Sequence, residues 1–105
     1  MSYIWSRNVH QRDKNEEELI WVLNVYGVHS SKIMGQSGEC DLLCATAEGL
    51  VFMLEVKSRN GKLSQKQEQW MESFPGPSYV IRKDEDIPEI LERVRLHYQS
   101  ALTLQ

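Results

Sequence analysis

Cysteine, proline and glycine are scarce in this sequence, which has two Cys, three Pro and six Gly among its 105 residues. Two cysteines cannot build the disulfide framework that stabilises small secreted domains, and the N-terminal residues contain no apolar stretch of signal-peptide length. Uncharged apolar runs such as Leu42 to Ala47 are far too short to span a bilayer. We therefore expect a cytoplasmic protein without a membrane segment.

An excess of positive charge is also absent, because 12 Lys and Arg face 15 Asp and Glu, for a net charge of −3. This balance argues against a protein that coats nucleic acid through bulk charge. The basic residues are concentrated between positions 57 and 66, where Lys57, Arg59, Lys62 and Lys66 occur without an acid. Such a run is usually a solvated face, so by itself it is a weak indication of phosphate contacts.

The chain length and the 41% hydrophobic fraction fit one compact domain. Residues 1–12 are mostly polar, with Tyr3, Ile4 and Trp5 as their main apolar group, which indicates an N-terminal arm followed by a single domain over residues 13–105. Periodicity and turn residues predict a helix over 15–26, a strand over 28–34, two strands around a loop at 47–49, a helix over 64–74, a strand over 78–82 and a helix over 87–99. This order predicts an α/β fold with one mixed sheet flanked by helices.

The two strands around Ala47-Glu48-Gly49 predict a hairpin, because a three-residue loop favours Gly at its left-handed last position. This loop places Asp41 opposite Glu55, with both side chains on the same face of the sheet. A two-residue loop would instead pair Asp41 with Val56 and separate the two acids. Lys57 lies two residues after Glu55 and shares its face by strand alternation.

Two carboxylates and a lysine on one sheet face indicate a binding site. Like charges opposite one another destabilise a sheet, whereas a divalent cation such as Mg²⁺ or Mn²⁺ favours paired carboxylate oxygens. The alternative is a salt bridge on a solvated face. Leu43 and Met53 share the predicted face and are apolar, which favours partial coverage and therefore a partner for the acids.

The segment GECDLLCATAEGLVFMLEVKSRNGKLSQKQEQWMESFPGPSYVIR, residues 38–82, resembles the PD-(D/E)XK nuclease superfamily, and most of all its small phage and bacterial VRR-NUC or Holliday-junction-resolvase-like members. The similarity extends over roughly residues 13–91. It consists of a helical Glu, an Asp at a strand start, an E-V-K strand and a Leu-x-x-x-Gln helix, in this order. The Pro that usually precedes the strand Asp is Cys40 here.

The resemblance implies a restriction-endonuclease-like α-β-β-β-α-β core with an added C-terminal helix. It also implies a Mg²⁺- or Mn²⁺-dependent endonuclease that cleaves DNA, in particular branched DNA, as a homodimer in a prokaryotic or phage-infected cell. In this interpretation Asp41, Glu55 and Glu18 bind the metal, Lys57 is the catalytic lysine and Gln67 is the helix glutamine. Within the basic run, Arg59, Lys62 and Lys66 are the expected DNA contacts.

Two of these assignments have structural alternatives. Glu18 and Gln67 are each the third helical residue after a capping residue, Asn15 and Ser64 respectively, so either could complete a capping box. Glu17 could take the place of Glu18 in the site. For the function as a whole, the alternative is a catalytically silent module of the same fold that binds nucleic acid or protein.

Other motifs point to no further chemistry. Cys40 and Cys44 lack a second Cys or His pair, so we expect packed thiols rather than a zinc site. His10, His29 and His97 are distant in sequence from any nucleophile signature, and no catalytic triad is indicated.

Overall fold

The computed structural model describes the backbone of residues 7–33 and 40–103. The elements in these ranges are α1 (Arg7–Val25), β1 (His29–Lys32), β2 (Leu42–Ala45), β3 (Val51–Val56), α2 (Gln65–Ser73), β4 (Ser78–Ile81), a 3-10 turn (Asp84–Asp86) and α3 (Ile87–Thr103). The predicted order of helices and strands is confirmed, and with it the α/β fold class.

The four strands form one mixed sheet in the order β1-β2-β3-β4. The first three strands are antiparallel, whereas β4 pairs parallel to β3 after the α2 crossover. Because parallel strands end at the same edge of a sheet, the residues that follow β3 and β4 lie side by side. The backbone N–H of Lys57 donates to the carbonyl of Ile81 at 3.0 Å, which joins the two strand ends.

The β2-β3 hairpin has the predicted register, from Leu42 opposite Leu54 to Ala45 opposite Val51. Gly49 ends the loop with φ +91°, in the left-handed region that a side chain would strain. The loop therefore sets which side chains of both strands share a face.

One face of the sheet carries the hydrophobic core. Its inward residues are Leu42, Cys44, Phe52, Leu54 and Val56, as the alternation predicts. They pack with residues of α1 and α3, which are Leu19, Leu23, Ile87, Ile90 and Val94. Full burial of a side chain of this size contributes about 1.5–3 kcal/mol, so this layer holds both long helices against the sheet.

The helix boundaries differ from the prediction at the N-terminal side. Helix α1 begins at Arg7, so Asn15 lies inside the helix and the predicted capping box with Glu18 does not form. The residues between Arg7 and Asn15 include no Gly or Pro, and nothing interrupts the helix there. The helix thus crosses the boundary predicted at residue 12, and the division into arm and domain stays a prediction. Trp5 and the turn predicted at 35–38 lie outside the described residues.

At the C-terminal side, α3 continues to Thr103 beyond the predicted end at residue 99, and a 3-10 turn precedes it. Strand β1 is shorter than predicted and covers His29–Lys32. None of the helices in the described ranges is both long and apolar enough to cross a bilayer.

Candidate functional site

Asp41 lies in a bend immediately before β2. Its side-chain Oδ2 accepts a hydrogen bond of 2.8 Å from the backbone N–H of Val56. The carboxylate therefore satisfies the backbone N–H of Val56 at the end of the hairpin, where a backbone carbonyl would be the usual acceptor. Its own backbone N–H donates to Leu54 at 2.9 Å, and its carbonyl accepts from Ile33 at 2.8 Å. Asp41 is therefore held between β1 and β3, next to Glu55.

Glu55 carries a fully buried carboxylate, with 1% of the residue exposed. Its Oε2 accepts a hydrogen bond of 2.8 Å from Gln67 Nε2 and lies 3.7 Å from Lys57 Nζ. The other oxygen, Oε1, is buried and accepts no hydrogen bond from the residues that the structure describes. A buried charge is costly unless it is paired, so Lys57 and Gln67 offset part of the cost of placing this carboxylate in the fold.

Gln67 completes the capping box and also contacts Glu55. Its Oε1 accepts from the backbone N–H of Ser64 at 2.9 Å, while its backbone N–H donates to Ser64 Oγ at 3.1 Å, which completes the capping box of α2. The same amide donates through Nε2 to Glu55. Because the cap uses the amide oxygen, the NH₂ group is turned toward the carboxylate. The start of α2 therefore orients the site.

Lys57 follows β3 directly, and its side chain is 21% exposed. Its ammonium lies between the buried Glu55 carboxylate and solvent. Because the ammonium is partly exposed, it can contact an anion from solvent in surroundings where charges are less screened than in bulk water.

Among the described side chains of α1, the buried acid is Glu16. Glu18 and the alternative Glu17 are both exposed, whereas Glu16 is 7% exposed and lies 4.0 Å from Lys32 Nζ. Lys32 pairs with Leu42, the residue after Asp41.

A sequence signal for Glu16 does exist. Glu16 precedes Leu19 and Leu23 by three and seven residues and therefore belongs to the apolar stripe of α1. A helix predicted to start at residue 15 leaves Glu16 in its first turn, where this periodicity is difficult to recognise.

The expected DNA contacts Arg59, Lys62 and Lys66 are all exposed. The loop between β3 and α2, which carries Arg59 and Lys62, is held by Arg82, whose Nη1 donates to the carbonyls of Ser58 (2.8 Å) and Gly61. The sequence does not indicate these contacts, because Arg82 lies far along the chain, after β4.

Cys40 is buried beside both carboxylates. Burial, and then the negative charges of Glu55 and Asp41, raise the pKa of its thiol to about 12. Burial likewise raises the pKa of Cys44 to about 11, against the lowering effect of its hydrogen bond to Ser30. Both cysteines are free. They are thus protonated at neutral pH and act as packed thiols, as predicted.

The donor set fits a particular kind of metal ion. Among the described residues, no group of three or more His, Cys, Asp or Glu lies close enough together to hold an ion. Asp41 and Glu55 instead bring a pair of carboxylates to adjoining positions, and both act on the Cys40 thiol. Mg²⁺ is commonly bound by one or two carboxylates, with water and substrate phosphate completing its coordination. This pair suits such an ion and not an all-protein cage.

Comparison with known proteins supports the fold. No protein-family model matches the sequence, and no curated protein matches it. A solved structure described as "VRR_NUC domain" is similar over 76% of this chain and 92% of that chain, with a TM-score of 0.60 and 22% sequence identity. The chain therefore has the fold of a VRR_NUC domain, the fold that its resemblance to PD-(D/E)XK nucleases predicts.

Proposed function

We propose that this protein is a metal-dependent endonuclease that hydrolyses phosphodiester bonds in DNA. The observation that carries the proposal is the convergence of Asp41, Glu55, Lys57 and Gln67 at one end of the sheet. The fold of a VRR_NUC domain adds support, because residues of these types in this order are what the sequence resemblance implies for a nuclease.

Asp41 and Glu55 are the proposed ligands of Mg²⁺ or Mn²⁺. Such an ion supplies a Lewis acid for a phosphoryl oxygen and lowers the pKa of bound water. We assign the supporting role of the helical acid to Glu16 instead of Glu18, because Glu16 is the buried carboxylate of α1. Lys32, at 4.0 Å, limits where the Glu16 side chain can lie.

Lys57 and Gln67 have separate tasks in this proposal. The Lys57 ammonium orients the attacking water or stabilises the negative charge that grows on the phosphate in the transition state. Gln67 fixes the Glu55 carboxylate through its 2.8 Å hydrogen bond, and the capping box in turn fixes Gln67. Residues that hold a ligand in this way are commonly worth 10–100-fold in metal affinity or activity.

Branched DNA is the proposed substrate class. The expected DNA contacts Arg59, Lys62 and Lys66 are exposed cations of the kind that bind phosphates, which favours recognition of DNA shape over recognition of base sequence. Symmetric cleavage of a branch requires two active sites and hence a homodimer. Leu96 and Leu102 are exposed on α3 and offer apolar surface for that interface. The free thiols agree with action in a reducing cytoplasm.

The test is cleavage of a labelled four-way junction beside linear duplex, with Mg²⁺, Mn²⁺ or EDTA. Wild type should nick the junction near its branch in either metal and not in EDTA. Lys57→Ala should lose this activity, whereas Arg95→Ala, which removes a positive charge from the exposed surface of α3, should keep it. A band shift in Ca²⁺ without any cleavage in Mg²⁺ or Mn²⁺ would instead favour the catalytically silent binding module.

A further inference from the structure

A second group of cations lies beyond the carboxylate site, at the same edge of the sheet. Arg59, Arg82 and Lys83 line a cleft of about 610 Å³ together with Glu85 and Asp86. Its volume is in the range of pockets that hold small ligands. None of these five residues belongs to the proposed metal site, so the cleft is a separate feature of the molecule.

The parallel pairing of β3 and β4 explains why the cleft adjoins the site. Val56 is opposite Ile81, so the segment after Lys57 runs beside the segment that begins with Arg82. Arg59 follows Lys57 by two residues, which limits the distance between their Cα atoms to about 7 Å. An elongated anion can therefore contact both regions at once.

Arg82 gives the cleft a fixed wall. Its Nη1 donates to the carbonyls of Ser58 and Gly61, and these bonds fasten the turn that carries Arg59. The turn is compact, because a Cβ on Gly61 would come within 2.9 Å of Ser58 Oγ. Nε and Nη2 of Arg82 carry three further N–H donors that these two bonds do not use.

The balance of charge in the cleft favours an anion. Three cations face two acids, in a chain whose net charge is −3. One of the acids, Asp86, already accepts hydrogen bonds through Oδ2 from the backbone N–H groups of Arg82 (2.9 Å) and Lys83 (3.1 Å). These bonds hold the Asp86 carboxylate against the backbone after β4, and the three cations still outnumber the two acids.

We propose that this cleft binds a phosphate group of the DNA substrate other than the one that is cleaved. Arg59 and Lys83 contact the phosphate, and Arg82 is a positioning residue that holds the Arg59 turn. Arginine suits this task because its planar guanidinium presents paired N–H donors to phosphate oxygens. The proposal rests on the proposed function, since it takes DNA as the ligand, and it adds two residues outside the basic run at 57–66.

The test is the salt dependence of DNA binding, measured by fluorescence anisotropy with a labelled four-way junction in Ca²⁺. Each phosphate contact contributes about 0.9 to the slope of log K against log salt concentration for duplex DNA. Arg59→Gln and Lys83→Gln should each weaken binding and make this negative slope less steep by about one. Arg95→Gln is the control, because Arg95 is an exposed arginine of α3 paired with Glu92. Equal slopes for all three variants and wild type would overturn the proposal.

The phosphate is either internal to a strand or at a 5′ end, and the same junction with 5′-phosphate or 5′-hydroxyl ends distinguishes these sources. If the Arg59→Gln defect disappears on DNA with 5′-hydroxyl ends, the cleft takes a terminal phosphate. If the defect persists, it takes an internal one. Either result supports a phosphate site, and thermal melting of each variant checks that the fold is intact.

The binding experiment is independent of cleavage, so the two proposals can fail separately. DNA binding with the expected slopes, but without any metal-dependent cleavage, supports phosphate binding in the cleft and overturns the proposed nuclease activity. Cleavage with unchanged slopes in Arg59→Gln and Lys83→Gln supports the proposed nuclease activity and overturns phosphate binding in the cleft. No DNA binding by the wild-type protein overturns the cleft proposal as well.

Discussion

Glu55 is the residue on which the rest of the site depends. Its carboxylate is buried, yet only one of its two oxygens is held by Gln67 and Lys57. A carboxylate in these surroundings opposes folding unless a cation compensates it, and Lys57 does so at 3.7 Å. The same arrangement favours an additional cation next to the carboxylate. If Glu55 binds the metal as proposed, stability and metal binding are therefore coupled at this one side chain.

This coupling predicts the behaviour of Glu55→Gln. The amide keeps the size of the side chain and an acceptor for Gln67 Nε2, and Lys57 is exposed enough to be solvated alone. We expect the variant to melt at the same temperature as wild type or higher in EDTA, and to lose metal-dependent cleavage. Mg²⁺ should raise the melting temperature of wild type alone, since ligands stabilise only the state that binds them. A lower melting temperature in EDTA would contradict this account.

A second residue-scale prediction separates the two roles of Gln67. Gln67→Glu retains an acceptor for the Ser64 N–H, so the capping box can still form. It replaces the donor to Glu55 with a second negative charge. We expect a 10–100-fold loss of cleavage or metal affinity, without loss of helix content by circular dichroism. Ser64→Ala is the complementary control: it should lower the free energy of unfolding by about 0.5–2 kcal/mol and leave cleavage nearly unchanged, because the backbone N–H of residue 64 still holds the amide oxygen of Gln67. Equal activity of Gln67→Glu and wild type would remove Gln67 from the site.

At the scale of the elements, local sequence predicted most of what positions the site. The hairpin loop with Gly49 determined the β2-β3 register, and the Ser64 cap marked the start of α2. The predicted start of α1 is wrong because a polar stretch before Asn15 resembles an arm, although it continues the helix. Arg82 could not be found in this way. Its contacts to Ser58 and Gly61 bridge 24 and 21 residues of sequence and depend on the parallel pairing of β4.

The phase of α1 leads to a paired test of two glutamates. Glu16 lies on the buried stripe of the helix and Glu18 on its exposed side. Glu16→Gln should reduce metal-dependent cleavage by 10–100-fold if this carboxylate supports the metal ligands. Glu18→Gln, which removes the same charge from the same helix, should cleave like wild type. Titration of cleavage against Mg²⁺ concentration measures both. The reverse result would restore Glu18 as the helical acid.

At the scale of the whole molecule, one proposed site per chain has to be reconciled with the proposed branched substrate. Two symmetric cuts require two copies of the chain, so a homodimer should have twice the 12.2 kDa mass in sedimentation equilibrium. If the exposed Leu96 and Leu102 form the interface, Leu96→Glu with Leu102→Glu should give a monomer that makes single nicks in place of paired ones.

Mixing wild type with excess Lys57→Ala tests the same point without disturbing the interface. Mixed dimers contain one active site, so paired cleavage of the junction should fall more steeply than nicking as the inactive chain is added. Parallel loss of both products would instead show that each chain acts alone, and the exposed leucines of α3 would then need no partner chain.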